Sequence, residues 1–205
     1  MDYNTLATAD SVAKTTAALT AHSFAPVQVA SAAEAFAKIK ELIPAGASVM
    51  NGASVTLTQI GFVEYLKTGE HGWNNLHDAV LAEKDPEKQA LLRKHSVISD
   101  FYLGSAHALT ETGEIIFASN TGSQLPHLAF TSPNVILVIG ANKIVPTIQE
   151  GLNRIQTQVV PLEDERMKKA YGFGTLWSKT LILNKENPAL GRKVHVIIVN
   201  EALGF

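Results

Sequence analysis

The sequence contains no cysteine. Its absence excludes disulfide bonds, thiol nucleophiles, thiolate zinc sites and the ordinary ligation of an iron–sulfur cluster by this chain. An electron-transfer cluster that works with this protein must therefore lie on another chain. The 7 histidines form no HExxH motif and no cluster at metal-ligand spacing, so we expect no metal site.

The sequence also lacks long hydrophobic segments and a marked excess of one charge. No apolar run approaches the roughly 20 residues that cross a bilayer, and residues 1–22 lack a basic stretch followed by an apolar one. With 17 Lys and Arg against 19 Asp and Glu, the chain has no broad basic face for a phosphate backbone. We therefore predict a cytoplasmic protein without nucleic-acid or membrane partners. The sequence is compatible with a homo-oligomer.

What the sequence does contain is typical of a folded domain. Of the 205 residues, 46% are hydrophobic and 18% are charged, and this balance favours a sizeable core. We predict a single domain over residues 1–205, in which a helical segment of about residues 1–25 packs on an α/β core. No internal repeat or linker divides the chain.

Helical and β-branched patterns alternate along the chain. The run NVILVIG at 134–140 is nearly unbroken, as in a strand buried on both faces of a sheet. The alternation predicts an α/β fold with a mostly parallel sheet and helices on both faces. The predicted helices are 3–24, 31–42, 57–66, 86–95, 146–157 and 162–170, the predicted strands are 26–30, 48–50, 97–103, 106–110, 115–118, 134–140, 179–183 and 193–199, and residues 68–78 are predicted to be a loop.

Ligands of open α/β sheets bind outside the carboxyl ends of the strands, so polar residues that follow a strand are site candidates. The first such segment is NGASVT at 51–56. Its glycine permits close backbone approach, and the following helix offers unpaired N–H groups to an anion. An ordinary Ser or Thr helix cap explains the same pattern. The candidate ligand-binding residues are Asn51, Gly52, Ser54 and Thr56.

The second segment is the turn TETG at 110–113, between two apolar strands. Its carboxylate, Glu111, has the chemistry of a base, a nucleophile or a hydrogen-bond acceptor. A solvated hairpin tip is the other interpretation, because Thr-Gly is common there. His107, just before the turn, suits either proton transfer or a structural hydrogen bond. The candidates are Thr110, Glu111 and Gly113, with Glu111 as the candidate catalytic residue.

The third segment is the small polar loop NTGSQ at 120–124, which suits a backbone cradle for an oxyanion or phosphate. Neither GxxxxGK[ST] nor GxGxxG is present, so we expect no cofactor on this chain and an anionic small molecule as ligand. A cation, Lys143, follows the buried strand and could reach the same crevice, although a lone lysine is more often solvated. The candidates are Asn120, Gly122, Ser123, Gln124, Asn142 and Lys143.

Five segments occur in a characteristic order along the second half of the chain. They are AHALTETGEIIF, NTGSQLPHLAF, NVILVIGANKIV, VVPLEDERMKKAYG and the terminal KVHVIIVNEALGF. Together they resemble the LUD-domain (lactate-utilisation, DUF162) family. The resemblance is clearest over residues 100–205, and segment 51–56 resembles the family's strand-to-helix segment.

The resemblance implies a fold similar to that of ribose-phosphate isomerases, glucosamine-phosphate deaminases and CoA transferases. It also implies a part in oxidising L-lactate to pyruvate beside partner proteins that carry iron–sulfur clusters, and the absence of cysteine agrees with that division of labour. We therefore expect an accessory or small-molecule-binding component of lactate utilisation. In this interpretation the three segments meet at one sheet edge in a single pocket.

Two alternatives stay open. An independent enzyme of the same fold group, acting on a sugar phosphate, a folate or a CoA thioester, would use Glu111 as nucleophile or base, as CoA transferases of similar fold use a Glu followed shortly by Gly. A regulatory or scaffolding protein would use the polar loops only to cap helices. The loop after Asn120 contains no arginine to clamp a carboxylate, and the sequence does not decide whether the chain is an enzyme.

Overall fold

Helices and strands alternate in the protein, for which a computed structural model describes residues 2–205. The helices are α1 (Ala9–Ala21), α2 (Ala32–Leu42), α3 (Val55–Gln59), α4 (Phe62–Thr68), α5 (Leu76–Ala82), α6 (Pro86–His95), α7 (Ile148–Arg154) and α8 (Val160–Tyr171). The strands are β1 (Ala25–Val29), β2 (Ser48–Asn51), β3 (Asn74–Asn75), β4 (Phe101–Gly104), β5 (Ala108–Thr110), β6 (Ile115–Ser119), β7 (Asn134–Gly140), β8 (Ile144–Val145), β9 (Lys179–Leu183) and β10 (Lys193–Val199).

A six-stranded parallel sheet, in the order β1-β10-β7-β4-β2-β3, forms the centre of the fold. β7 is buried on both faces, because Ile136 and Val138 pack on one side while Val135, Leu137 and Ile139 pack on the other. Residues of α2, α3 and α4 cover the first face. Residues of α1 and of a smaller sheet cover the second. The predicted α/β fold with a mostly parallel, helix-flanked sheet is confirmed.

The smaller sheet has the order β8-β5-β6-β9. Its β5 and β6 pair antiparallel, with Leu109 opposite Ile115, so segment 110–113 is the turn of a hairpin between the two predicted strands. The sequence did not predict a separate sheet, and β9 belongs here, antiparallel to β6, instead of in the parallel sheet. The helical region after β8 packs on the outer face, where Ile155 and Val159 contact Ala108 and Ile116 in a third apolar cluster.

The first helix is shorter than predicted. It begins at Ala9, because the Thr8 hydroxyl accepts a hydrogen bond from the Ser11 amide (3.2 Å) and caps it. Before this cap, the buried Tyr3 ring packs in the third apolar cluster. The predicted helix 57–66 is also wrong in detail, since Gly61, at φ 82°, separates α3 from α4.

Three further boundaries differ from the predictions. The predicted loop 68–78 contains β3 and the first residues of α5, which the Asn75 side chain caps. The predicted strand 97–103 begins only at Phe101. The last two predicted helices are joined by a π-helical turn at Ile155–Val159. Pro146, with which the predicted helix 146–157 begins, precedes the cap residue Thr147.

Two findings on the described residues, 2–205, bear on the kinds of site that the fold provides. None of their helices combines the length and the apolar character that a membrane crossing requires. None of their His, Asp and Glu side chains form a group of three placed to hold a metal ion.

Candidate functional site

Three neighbouring strands of the parallel sheet end beside one another and bring their following residues together. β2, β4 and β7 are adjacent in the sheet, and each runs in the same direction. The residues beyond their carboxyl ends include Thr56 in α3, Ser105 after β4 and Lys143 after β7. This is the edge at which open α/β sheets bind ligands.

Lys143 is the centre of this cluster. Its ammonium donates hydrogen bonds to the hydroxyls of Thr56 and Ser105, both at 3.1 Å, and to the carbonyl oxygen of Ala106 at 3.2 Å. Only 2% of the residue is exposed. Burial, followed by the positive charge of Arg154, lowers the pKa of Lys143 to about 7. Lys143 therefore exchanges its proton near neutral pH, unlike a surface lysine.

A second buried cation, Arg154, lies at the end of α7 next to this cluster. It is 0% exposed, and its Nη1 atom donates to the carbonyl oxygen of His107 at 2.5 Å. The adjacent carbonyl, that of Ala106, is held by Lys143, so the two cations bind consecutive peptide groups. The Nε and Nη2 atoms of Arg154 are buried and have no hydrogen-bond partner in the described part of the chain. Burial lowers the pKa of Arg154 to about 10.

The imidazole beside these cations is held in its neutral form. The Nδ1 atom of His107 accepts a hydrogen bond from the Ala118 amide at 3.0 Å, so the ring proton of the neutral form lies on Nε2. Burial, then the charges of Lys143 and Arg154, lower the pKa of His107 to about 3. The cluster thus contains two cations, a neutral ring and no ion pair among residues 2–205.

The end of the chain lies over Lys143. The Leu203 amide donates to the Asn142 side chain at 3.1 Å, and the Gly204 amide donates to the Gln59 side chain at 2.6 Å. Gly204 has φ 62°, and a Cβ atom on it would lie 2.9 Å from Lys143 Nζ. This close approach requires glycine and helps to shield Lys143 from solvent.

A cavity of about 320 Å³ opens at the same edge, between α1 and the ends of β1 and β10. Ala141, which precedes Asn142 and Lys143, lines it together with Asn200. Its size suits a small molecule, and its position agrees with the general location of ligands in such sheets. The lining residues are Ala9, Val12, Gln28, Val29, Ala30, Ala141, Ile198 and Asn200.

The other residues of segment 51–56 have separate surroundings. Asn51 is buried, and its Oδ1 atom has no hydrogen-bond partner within residues 2–205. A Cβ atom on Gly52 would lie 2.7 Å from the Tyr102 hydroxyl and 3.7 Å from Gln124 Oε1. The third segment therefore approaches the first at Gly52. Ser54 caps α3 by accepting a hydrogen bond from the Leu57 amide at 3.2 Å.

The turn at 110–113 is tied to α1. Glu111 accepts hydrogen bonds from Ser11 at 2.6 Å and from Lys14 at 2.8 Å. The bond from Lys14, followed by the one from Ser11, lowers the pKa of Glu111. Gly113 packs on α1 with φ 97°, while the Thr110 hydroxyl is bonded to Glu114. The structure thus gives Glu111 partners on α1 and none in the Lys143 cluster.

The loop at 120–124 lines a different cavity, of about 480 Å³, against α6. Arg93 and Lys94 from the last turn of α6 lie in the same lining as Gly122 and Ser123. The Asn120 carbonyl accepts a hydrogen bond from Lys179 at 3.2 Å. The loop itself has no arginine, but a helix distant in sequence supplies one.

The structure therefore brings only some of the predicted site residues together. Thr56, Asn142 and Lys143 meet at the sheet edge, and Gly52 lies near Gln124. No hydrogen bond or ion pair between described residues joins Ser54, Glu111 and Ser123. The sequence interpretation missed Ser105, Arg154 and Gly204. Ser105 and Gly204 follow strands, so the rule that ligands bind beyond strand ends could have identified them. No sequence signal distinguishes Arg154 from an ordinary helical arginine.

The comparisons with known proteins agree with one another. No curated protein matches the chain. A crystal structure of a DUF162 family protein from Deinococcus radiodurans is similar, with a TM-score of 0.59 and 16% identity, over 96% of this chain and 100% of that chain. At this identity the likeness shows the fold alone. The model of the LUD domain matches residues 12–199, which is most of the sequence. The chain therefore belongs to the LUD-domain family.

Proposed function

We propose that this LUD-domain protein binds a small carboxylate in the oxidation of L-lactate to pyruvate. In this role it is an accessory component beside partner proteins that carry iron–sulfur clusters. The observation that supports the proposal is the burial of Lys143 and Arg154 without an ion-pair partner in the described residues. The nearest acidic residue along α7, Glu150, is bonded to Tyr3 and Asn153 instead.

An anionic ligand would offset the free-energy cost of burying these two charges. A buried cation without a counter-ion is destabilising, because neutral acceptors replace only part of its hydration. A carboxylate in the cluster would stabilise the charged form of Lys143 and supply acceptors for the free Nε and Nη2 atoms of Arg154. Lactate and pyruvate each have one carboxylate and one adjacent oxygen atom, which suits a cluster of cations and hydroxyls.

The accessory role is proposed because this chain lacks the usual ligands of an electron-transfer cluster. It has no cysteine, so a cysteine-bound cluster has to be on another protein. Family membership favours lactate utilisation as the process. We propose that the protein presents or retains the carboxylate while a partner transfers the electrons.

Calorimetric titration with pyruvate and L-lactate tests the binding proposal. We expect saturable binding of both by the wild-type protein, weak or no binding of the uncharged analogue 1,2-propanediol, and loss of binding in Lys143→Met. Lys67→Met is the matched control, because Lys67 is an exposed lysine paired with Glu64 on α4. Equal binding by both variants, or no binding by the wild-type protein at millimolar carboxylate, would refute the proposal.

The accessory role has its own test. A tagged chain is expected to co-purify with an iron–sulfur protein from cells grown on L-lactate, and deletion of its gene is expected to slow that growth. Normal growth on lactate without the gene would contradict the role in lactate utilisation and leave the carboxylate site to be explained otherwise.

A further inference from the structure

The Lys143 cluster includes a serine beside the buried amine. Ser105 is partly exposed, whereas Lys143, 3.1 Å from its oxygen, is buried. The two residues follow adjacent parallel strands, β4 and β7, so the sheet fixes their separation. A hydroxyl beside a shielded amine is the arrangement that nucleophilic catalysis by a serine and a lysine requires.

The hydrogen bonds of the cluster leave the neutral lysine amine able to accept the serine proton. A neutral amine keeps two donors, and the Ala106 carbonyl and the Thr56 hydroxyl can accept them. The Thr56 hydroxyl in turn donates to Ser105 Oγ at 3.3 Å. The Ser105 hydroxyl donates to the Ala106 carbonyl at 3.3 Å, and the lone pair of a neutral Nζ, 3.1 Å from Ser105 Oγ, offers its proton a second acceptor. The partners seen around the ammonium therefore also suit the neutral base.

We propose that Ser105 is a nucleophile, that Lys143 is its general base, and that the pair hydrolyses small esters or thioesters that carry a negative charge. This activity goes beyond the carboxylate binding proposed above but uses the same site. The preference for charged acyl donors follows from the positive charge of Arg154, which binds the His107 carbonyl two residues along from Ser105 and has no ion-pair partner in the described residues. The proposal does not involve Glu111, which is bonded to α1.

The reaction has two balanced steps. In the first, a bond forms between Ser105 Oγ and the acyl carbon while the hydroxyl proton moves to Lys143 Nζ. The C–O or C–S bond of the substrate then breaks, and the same proton leaves with the alcohol or thiol. In the second step, water attacks the acyl carbon, gives one proton to Lys143, and displaces Ser105 Oγ, which takes that proton back. The products are a carboxylic acid and the restored hydroxyl.

The lowered pKa of Lys143 supports its role as the general base. A general base is most effective when its pKa lies near the working pH. Burial and the charge of Arg154 lower the pKa of Lys143 to about 7, and His107 beside them stays neutral because its own pKa is lowered to about 3. The groups that face Lys143 through hydrogen bonds, Thr56, Ser105 and the Ala106 carbonyl, do not titrate in this range.

A covalent serine probe tests the proposal on the full chain. The protein is incubated with a fluorophosphonate, and the labelled peptide is identified by mass spectrometry. We expect labelling at Ser105, no labelling of Ser105→Ala, and a rate about 100-fold lower in Lys143→Met, in proportion to the loss of a general base. Ser178→Ala, which removes an exposed serine, is the control and should label at the wild-type rate.

The wild-type pH profile is a second measurement that does not depend on a variant folding. The labelling rate is expected to rise about tenfold from pH 6 to pH 7.5 and then level off, as a base with a pKa near 7 becomes neutral. Labelling at a different serine, no labelling of folded protein, or a rate that is flat from pH 6 to 9 would overturn the proposal.

The two proposals fail separately. Pyruvate binding by calorimetry and labelling by the fluorophosphonate are both measured on the wild-type protein, so each proposal has its own result. If pyruvate does not bind but Ser105 is labelled, the carboxylate-binding proposal is wrong and the nucleophile stands. If pyruvate binds but Ser105 is never labelled, the reverse holds.

Discussion

Replacement of Lys143 by methionine should remove a distinctive pH dependence of stability. The pKa of Lys143 falls from an ordinary value of 10.5 to about 7 in the folded protein. In the unfolded chain the ordinary value returns. Over the window from about pH 7 to 10.5 the unfolded chain therefore binds more protons than the folded one, and the free energy of unfolding should rise with pH.

The size of the effect follows from the two pKa values. Between pH 7 and pH 9, linkage through this one group amounts to about 2 kcal/mol. Other shifted groups titrate mainly outside that window, because the pKa values of His107 and His127 are lowered to about 3 and about 4 and that of Arg154 to about 10. The rise between pH 7 and 9 should therefore come mainly from Lys143.

Urea denaturation at pH 7, 8 and 9 measures this rise. The wild-type protein and the control Lys67→Met should gain about 2 kcal/mol over the range, whereas Lys143→Met should gain little. Methionine resembles lysine in length and leaves no charge to bury, so the comparison isolates the titration. If Lys143→Met retains the wild-type rise, or if the wild-type protein shows none, the lowered pKa of the buried Lys143 is wrong.

Three further predictions concern Gly204, Glu111 and His107. Gly204→Ala should lower the free energy of unfolding by about 1–3 kcal/mol, because Gly204 has φ 62° and lies close to Lys143. The control Gly191→Ala, at φ 71° with open space around it, should lower it by only about 1 kcal/mol. Urea denaturation compares the two variants. Glu111→Gln should lower the free energy of unfolding by less than about 1 kcal/mol in the same assay, since its partner Lys14 is exposed. A loss of CoA-thioester turnover in this variant would instead support the enzyme alternative. His107 should remain neutral at pH 5 with its proton on Nε2, and ¹⁵N NMR showing a protonated ring there would contradict the hydrogen bond from Ala118.

The elements that could be predicted from the sequence are those with strong local signals. β7 and β10 have the predicted bounds because their β-branched runs are buried on both faces, and α6 has them because Asp85 and Pro86 define its start. The break at Gly61 and the late start of α1 depend on single residues within otherwise helical patterns. The second sheet depends on pairings between β6 and β9 across many residues, which no local pattern reveals.

The candidate site was only partly predictable for the same reason. The rule that ligands bind beyond strand ends identified Thr56, Asn142 and Lys143, which do come together. It did not reveal that Lys143 would be buried, because that depends on the chain end and Gly204. It also could not place Arg154, which reaches the His107 carbonyl from α7. Packing between distant elements, and not sequence spacing, determines the charge of the site.

Direct titration of the Lys143 side chain by NMR measures whether the buried amine has a lowered pKa that a carboxylate raises. With ¹³C- and ¹⁵N-labelled lysine, and Lys143→Met to assign the signal, we expect a pKa near 7 in the free protein, well below that of the other lysines. Saturating pyruvate should raise it by at least one unit, since a bound carboxylate favours the ammonium. A Lys143 that titrates near 10.5 without ligand, or whose pKa pyruvate leaves unchanged, would contradict the account.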